Sequence, residues 1–243
     1  MAKFENVYGR VFRSILWLIN PFKKKIIKTE CKVHRFINYQ SLKILANNDY
    51  IDEFKFFNHY LEELNRGAVW ADQDFKSIGH FYNPLKKRGL YGHFNARHLA
   101  ENYYSKAKYH WNHKHKSRAV FYLGASVHII QDMTIPQHVN IRLLDSHRQY
   151  ENFVKLTYDI VKEFRTNEKP IEFKNIESYL RFNAKEALKS YDKYLDMEQD
   201  REKFYKITKC SLPLAQRTTA GFMIMFLKDI YFYDNKNKYL DFE

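Results

Sequence analysis

Glycine and proline are scarce in this chain, 7 and 5 in 243 residues. So few turn formers exclude a turn-rich all-β fold and a Pro/Gly-rich disordered chain. Cysteine is scarcer still. Cys31 and Cys210 alone exclude a disulfide framework and leave room for a single bond at most. Acidic residues are in deficit, 28 against 41 lysines and arginines, which gives a net charge of +13. That excess favours partners carrying negative charge: an anionic membrane, nucleic acid or a phosphate-bearing substrate. Long hydrophobic runs are missing too. The apolar stretch ILWLI near the N-terminus is too short to span a bilayer. With Arg13 beside it and no small-residue cleavage site after it, it makes a poor signal peptide, so a cytoplasmic or peripheral-membrane location is expected rather than secretion. The chain has no internal repeat, no G-x-G-x-x-G, no P-loop and no G-x-S-x-G.

What remains is helical patterning. Aromatic residues, 17% of the chain, supply ample material for a packed core. Phe4, Val7, Tyr8, Val11, Phe12, Ile15, Leu16 and Ile19 recur at helical spacing beside Arg10, Arg13 and Lys23 to Lys25. Residues 1–28 are therefore expected to form a basic amphipathic segment, packed on the domain or lying on a membrane surface. Helices are expected over 30–48, 51–66 (ending before Gly67), 95–112, 116–131, 146–165, 174–193 and 200–209, and from Pro213 to about Tyr233. A long punctuated loop runs from Gly67 to about Gly92. It carries WADQD (Asp72, Asp74) and GHFYNP (His80), and long loops in compact domains are often functional. The chain reads as all-α, with residues 29–243 forming one multi-helix domain, expected to be monomeric.

The stretch from His128 to Glu151, HIIQDMTIPQHVNIRLLDSHRQYE, concentrates ligand chemistry. His128 and Asp132 are four apart, which puts them on one helical face one turn from each other. Pro136 breaks or kinks the helix, so His138 lies on a new segment able to turn back toward the same space. His147 and Glu151 repeat the four-residue spacing on the next helix. Imidazole and carboxylate in this pattern suit zinc. His128 follows AVFYLGASV, apolar almost all round and so expected to be buried. A buried histidine and aspartate need partners, and a metal supplies both. His110, His113 and His115 also have ligand-like spacing, but the lysines among them indicate a solvated turn.

These residues resemble the zinc-dependent bacterial phospholipases C, the family that includes alpha-toxin. FYLGASVHIIQDMTIPQH follows the family pattern His-x3-Asp-x3-Pro-x-His, and DSHRQYENF continues it with His-x3-Glu. GHFYNP resembles the segment around another ligand histidine, WADQD the aspartate ligand site, and LAQRTTAGFMIMFLKDI the final helix. The likeness covers the catalytic domain, with no room for the C-terminal lipid-binding sandwich of alpha-toxin. It implies an all-helical domain holding two to three zinc ions. Asp72, His80, His128 and Asp132 would bind one, and His138, His147 and Glu151 a second. His34 and a bridging Asp132 would bind a third. The implied activity is phospholipase C: hydrolysis of the glycerol–phosphate ester of a phospholipid to diacylglycerol and a phosphorylated head group. Asp72 would orient or deprotonate the attacking water.

Two departures from the family stand out. The family takes ligands for the third zinc from a processed N-terminal Trp, and Pro21 to Lys24 occupy the matching distance before His34. Cys31, three residues before His34, shares its face if the helix starts near Thr29, and a thiolate is a strong zinc ligand. The alternative for Cys31 is a small residue on an apolar face. Family members that prefer choline lipids place Tyr after the first aspartate ligand, where this chain has Gln73, so a choline preference does not carry over. Two other functions fit the composition: a zinc-dependent phosphodiesterase or single-strand nuclease of the same fold, and a non-catalytic, metal-stabilised membrane-binding protein. A phospholipid surface, anionic in character, is the expected partner, ahead of nucleic acid.

Overall fold

A computed structural model describes residues 31–73, 79–84, 86–89, 95–140 and 147–240, with the backbone alone for Arg88, His147 and 232–240. The basic segment expected over residues 1–28 and the acidic residue Asp74 lie outside the described residues.

The regular elements among the described residues are helical apart from one short ladder. In chain order they form α1 (Lys32–Asn47), α2 (Ile51–His59), α3 (Leu61–Ala71), β1 (Tyr82–Asn83), β2 (Arg88–Gly89), α4 (Ala96–Asn112), α5 (Lys116–Asp132), α6 (Pro136–Asn140), α7 (His147–Thr157), a 3-10 turn (Lys162–Phe164), α8 (Ile176–Tyr194) and α9 (Asp200–Leu240). The two strands pair antiparallel, Tyr82 opposite Gly89. Asparagine caps start two of the helices: Asn95 Oδ1 accepts from His98 N at α4, and Asn175 Oδ1 from Ser178 N at α8.

Helix α5 is the axis of the domain. From Ala119 to Asp132 it is buried almost all round, as its apolar sequence requires. It lies between α3 and α4, with α8 and α9 against its C-terminal half. Leu64 of α3, Leu123 and Ile129 of α5 and Phe222 of α9 meet in the main core with no solvent exposure. Each such side chain contributes about 1.5–3 kcal/mol by leaving water. A second cluster joins Ile37, Tyr150, Val154, Phe164, Phe204 and Ile207, where α7 and the 3-10 turn meet α1 and α9.

Two glycines set the distance between α3 and α5. A Cβ on Gly67 would stand 1.8 Å from the Phe121 carbonyl oxygen, and one on Gly124 would stand 2.0 Å from that of Leu64. The backbones touch at this crossing, and only glycine permits it. This corrects one expected boundary. The helix does not end before Gly67 but passes through it to Ala71, because Gly67 serves packing rather than termination. The expected 51–66 helix is in fact two, broken at Tyr60.

A second correction concerns Pro213, read as the start of a final helix. It sits inside α9, which runs unbroken from Asp200 to Leu240. Proline there removes the bond to the Lys209 carbonyl. Lys209 is exposed, so water can take the place of the lost donor. The expected 146–165 helix is shorter, ending at Thr157 before the 3-10 turn.

Candidate metal centre

The C-terminal end of α5 presents His128 and Asp132 on one face, as their spacing predicts. His128 is 1% exposed and Asp132 3%. Beyond Asp132 the chain turns tightly: Thr134 Oγ1 donates to Gln131 O, and Ile135 N to Asp132 O. Pro136 then opens α6 at a first-turn position, where its missing N–H costs nothing. This places His138 on a separate short helix, buried and stacked on Phe81 at 4.8 Å between ring centroids.

Three other elements converge on the same point. His34, near the start of α1, stacks its ring on His128 at 3.9 Å. Asp72 caps the C-terminus of α3. His80 is carried in by the segment leading to β1 and is wholly buried. The resulting contacts centre on Asp132. His80 Nδ1 lies 2.7 Å from Asp132 Oδ2, His128 Nε2 lies 3.2 Å from the same oxygen, and His34 Nε2 lies 3.5 Å from Oδ1. Asp72, His80 and His128 form one group whose ligand atoms all lie within 4.8 Å of each other, and His34, His128 and Asp132 form another.

The charges follow from this packing. Burial alone would raise the Asp132 pKa, but the adjoining His128 and His138 and the hydrogen bonds from His128 and His80 hold it well below the usual carboxylate range. Burial alone would lower His128, yet the Asp132 carboxylate outweighs it and the net shift is upward. His34 is pulled down to about 4, first by burial and then by the neighbouring His128. At neutral pH His34 is thus an uncharged imidazole with a nitrogen free to act as a ligand.

The donor set fits zinc. Nitrogen and oxygen ligands at about 2.0–2.1 Å in a tetrahedron stand roughly 3.3–3.4 Å from each other. His80 Nδ1 and His128 Nε2 are 3.3 Å apart, and His128 Nε2 and Asp132 Oδ2 are 3.2 Å apart. Two imidazole nitrogens facing one another inside a protein, with a carboxylate completing the triangle, are arranged as ligands of one cation.

Not every expected residue joins this cluster. Glu151 is partly buried on α7, with Oε2 3.6 Å from Lys155 Nζ, and belongs to neither group found among the described residues. The side chain of His147, at the start of α7, is outside the described residues. Cys31 stands just before α1 in the left-handed conformation, φ 45°, rare for a non-glycine residue. Its Sγ lies 3.4 Å from Asp72 Oδ2, and burial and then the Asp72 charge push its thiol pKa up. Both cysteines are free thiols. His113 and His115 are exposed in the turn between α4 and α5, as the solvated reading required, whereas His110 is half-buried within α4 and stacks on Tyr122 at 5.2 Å.

Sequence reading missed the polar residues behind the cluster. Gln131 Oε1 is 2.7 Å from His34 Nδ1, while Gln131 Nε2 reaches Asn38 and Thr219. The available signal was Gln131 itself, an amide within an apolar run, and Asn38, four residues after His34.

Fold and site together define an all-α domain built around a buried cluster of imidazoles and carboxylates that could hold a metal ion. The chain belongs to the zinc-dependent phospholipase C family, whose model, described as zinc dependent phospholipase C, matches residues 33–201. It is 26% identical over 233 residues to a phospholipase C of Clostridium novyi, an alignment spanning 81% of this chain and 58% of that protein. To a phospholipase C of Listeria monocytogenes it is 25% identical over 238 residues, spanning 82% and 78%. The chain thus spans little more than half the length of the clostridial relatives. In structure it is similar to the alpha toxin of Clostridium absonum, with a TM-score of 0.71 at 18% identity, covering 84% of this chain and 65% of that one. The alpha-toxin of Clostridium perfringens gives 0.69 at 19% identity, with the same coverage. These structures establish the all-helical fold.

Proposed function

We propose that this protein is a zinc-dependent phospholipase C that cleaves the glycerol–phosphate ester of phospholipids, releasing diacylglycerol and a phosphorylated head group. The observation that carries the reading is the convergence of His34, His80 and His128 on the Asp132 carboxylate, with Asp72 grouped beside His80 and His128. Asp72, His80, His128 and Asp132 would hold one zinc, and His138, His147 and Glu151 a second. His34 would hold a third together with Asp132, with Cys31 as a further candidate ligand. Bound zinc supplies charge that polarises the phosphoryl oxygens and lowers the pKa of water.

The chain's own residues do the rest. Asp132 stays ionised at all working pH values, because His128 and His80 hold its proton affinity down. Its Oδ1 lies toward His34 and its Oδ2 toward His80 and His128. Asp72 is less buried than Asp132 and sits where the cluster reaches solvent. Its carboxylate orients the attacking water and takes its proton as phosphorus is attacked in line. His80, His128 and His138 close the opposite side, where water is excluded and electrostatic interactions are stronger.

The substrate is presented on an anionic membrane surface. Lys86 and Lys87 in the hairpin, Lys114 in the turn before α5, and Lys116 and Arg118 in the first turn of α5 are exposed. Each adds roughly 1 kcal/mol near an anionic bilayer. Among the described residues no helix is long and apolar enough to cross a membrane.

The test is zinc analysis of the purified chain, followed by rates on anionic phospholipid vesicles and on single-stranded DNA at equal phosphate and matched salt. At least two zinc ions per chain and faster release of diacylglycerol are expected. Faster cleavage of DNA would make the protein a nuclease of the same fold. A chain that binds no zinc would overturn the metal centre itself.

A further inference from the structure

Behind His34 lies a row of buried amides whose polarity can be read link by link. Asn38 Nδ2 donates to Asn65 Oδ1 at 3.0 Å. Asn38 Oδ1 therefore faces the other way and accepts from Gln131 Nε2 at 2.8 Å. The second hydrogen of the same Gln131 nitrogen points to Thr219 Oγ1 at 3.1 Å. With Nε2 committed to both, Gln131 presents Oε1 to His34 Nδ1 at 2.7 Å. All four partners are buried: Asn38, Asn65, Gln131 and Thr219 are at most 6% exposed. Reversing one amide alone would set like atoms against each other, and in the orientation the structure shows every donor in the row meets an acceptor.

An amide oxygen only accepts, so the hydrogen on neutral His34 is at Nδ1. Nε2 then carries a lone pair, and it faces Asp132 Oδ1 at 3.5 Å. Two acceptors face each other across a gap close to the ligand–ligand distance of a tetrahedral zinc. A cation between them turns this opposition into two bonds.

We propose that Gln131 is a positioning residue for metal. It selects the Nδ1–H tautomer of His34 and so reserves Nε2 for a cation held jointly with Asp132. The row reaches from α5 to α1, α3 and α9, so three helices hold one imidazole in register. The inference rests on the reading of this cluster as a zinc centre. It goes beyond that reading in naming a residue that touches neither metal nor substrate. Such partners usually fix a histidine ligand's tautomer, and losing them typically costs about 10–100-fold in metal affinity.

The test separates the acceptor of Gln131 from its donors. Gln131→Met removes both, and Gln131→Glu keeps an oxygen for His34 but takes the donor from Asn38. Zinc affinity is measured by calorimetric titration of the full chain, and stability by denaturant melts. Gln131→Met is expected to lose about 10–100-fold at the weakest site. Gln131→Glu is expected to lose stability while retaining affinity within a few-fold. Equal loss of affinity in both variants would reduce Gln131 to a structural role and overturn the proposal. So would unchanged affinity in Gln131→Met. Should neither variant fold, nitrogen-15 imidazole spectra of the metal-free wild type decide, with Nδ1–H at His34 expected and Nε2–H overturning the proposal. A wild type that takes up no zinc refutes the metal centre instead, and the same spectrum still reports on the tautomer.

Discussion

Gly67→Ala should loosen the metal centre from a distance. The new methyl carbon would stand 1.8 Å from the Phe121 carbonyl oxygen, 2.8 Å from its carbon and 3.1 Å from the Ala125 nitrogen, all of them backbone. Ordinary contact begins near 3.4 Å, so α3 and α5 must part locally by about 1.5 Å. No flexible side chain stands in the way to yield instead. Overpacking of this kind costs typically 1–3 kcal/mol, against a gain of about 1 kcal/mol from the better helix propensity of alanine. The backbone carbonyls cannot rotate out of their helices, so the upper end of that range applies and the net loss should be roughly 2 kcal/mol. For a chain of this size that lowers Tm by about 4–8 °C. Zinc affinity should fall as well, because Asp72 ends α3 while His128 and Asp132 end α5. Thermal melts of metal-free protein and zinc titration of the folded protein measure the two effects separately. An unchanged or higher Tm would refute the claim that these helices touch backbone to backbone.

Three further outcomes are expected. Asp72→Asn should lower turnover more than tenfold, about 1.4 kcal/mol in the barrier, with vesicle binding unchanged, and a smaller loss would remove Asp72 from the chemistry. Metal-free protein should lose stability as pH falls from about 6.5 to about 4. Over that range the unfolded chain protonates His34 and the folded chain does not, a difference worth up to roughly 3 kcal/mol. His128 acts in the opposite sense: its raised pKa adds stability that is full below 6.5 and lost as pH rises through its folded value. The metal-free optimum should thus lie near pH 6.5, and a flat melt profile down to pH 4 would contradict it. Finally, cobalt-substituted protein should show a thiolate-to-metal charge-transfer band that Cys31→Ser abolishes, and a wild type without the band would exclude Cys31 as a ligand.

The sequence made the candidate pair on α5 legible because the helical period is fixed: His128 and Asp132 share a face wherever the helix lies. Pro136 was equally plain, since its backbone chemistry ends one helix and permits the next. Gly67 misled because its common role, ending helices, is not its role here. Its reason lies 54 residues away, in the Phe121 carbonyl, and no local pattern records that contact. Pro213 misled in the same way, since whether a proline ends a helix depends on how the freed carbonyl is satisfied. The row from Gln131 to Asn65 was hidden because its members lie far apart in the chain and meet only after α1, α3 and α5 have packed.

Asp132 serves two groups with one side chain, Oδ1 toward His34 and Oδ2 toward His80 and His128. Occupancy on one side therefore changes what the other side feels. A cation held at Oδ2 draws charge from the whole carboxylate and weakens Oδ1 as a ligand. The same cation fixes the orientation of the carboxylate, sparing the second ion that ordering. Whichever effect prevails, the coupling is reciprocal: each ion alters the other's affinity by the same factor. Zinc should therefore enter this protein as a linked pair, and its titration should not reduce to independent sites.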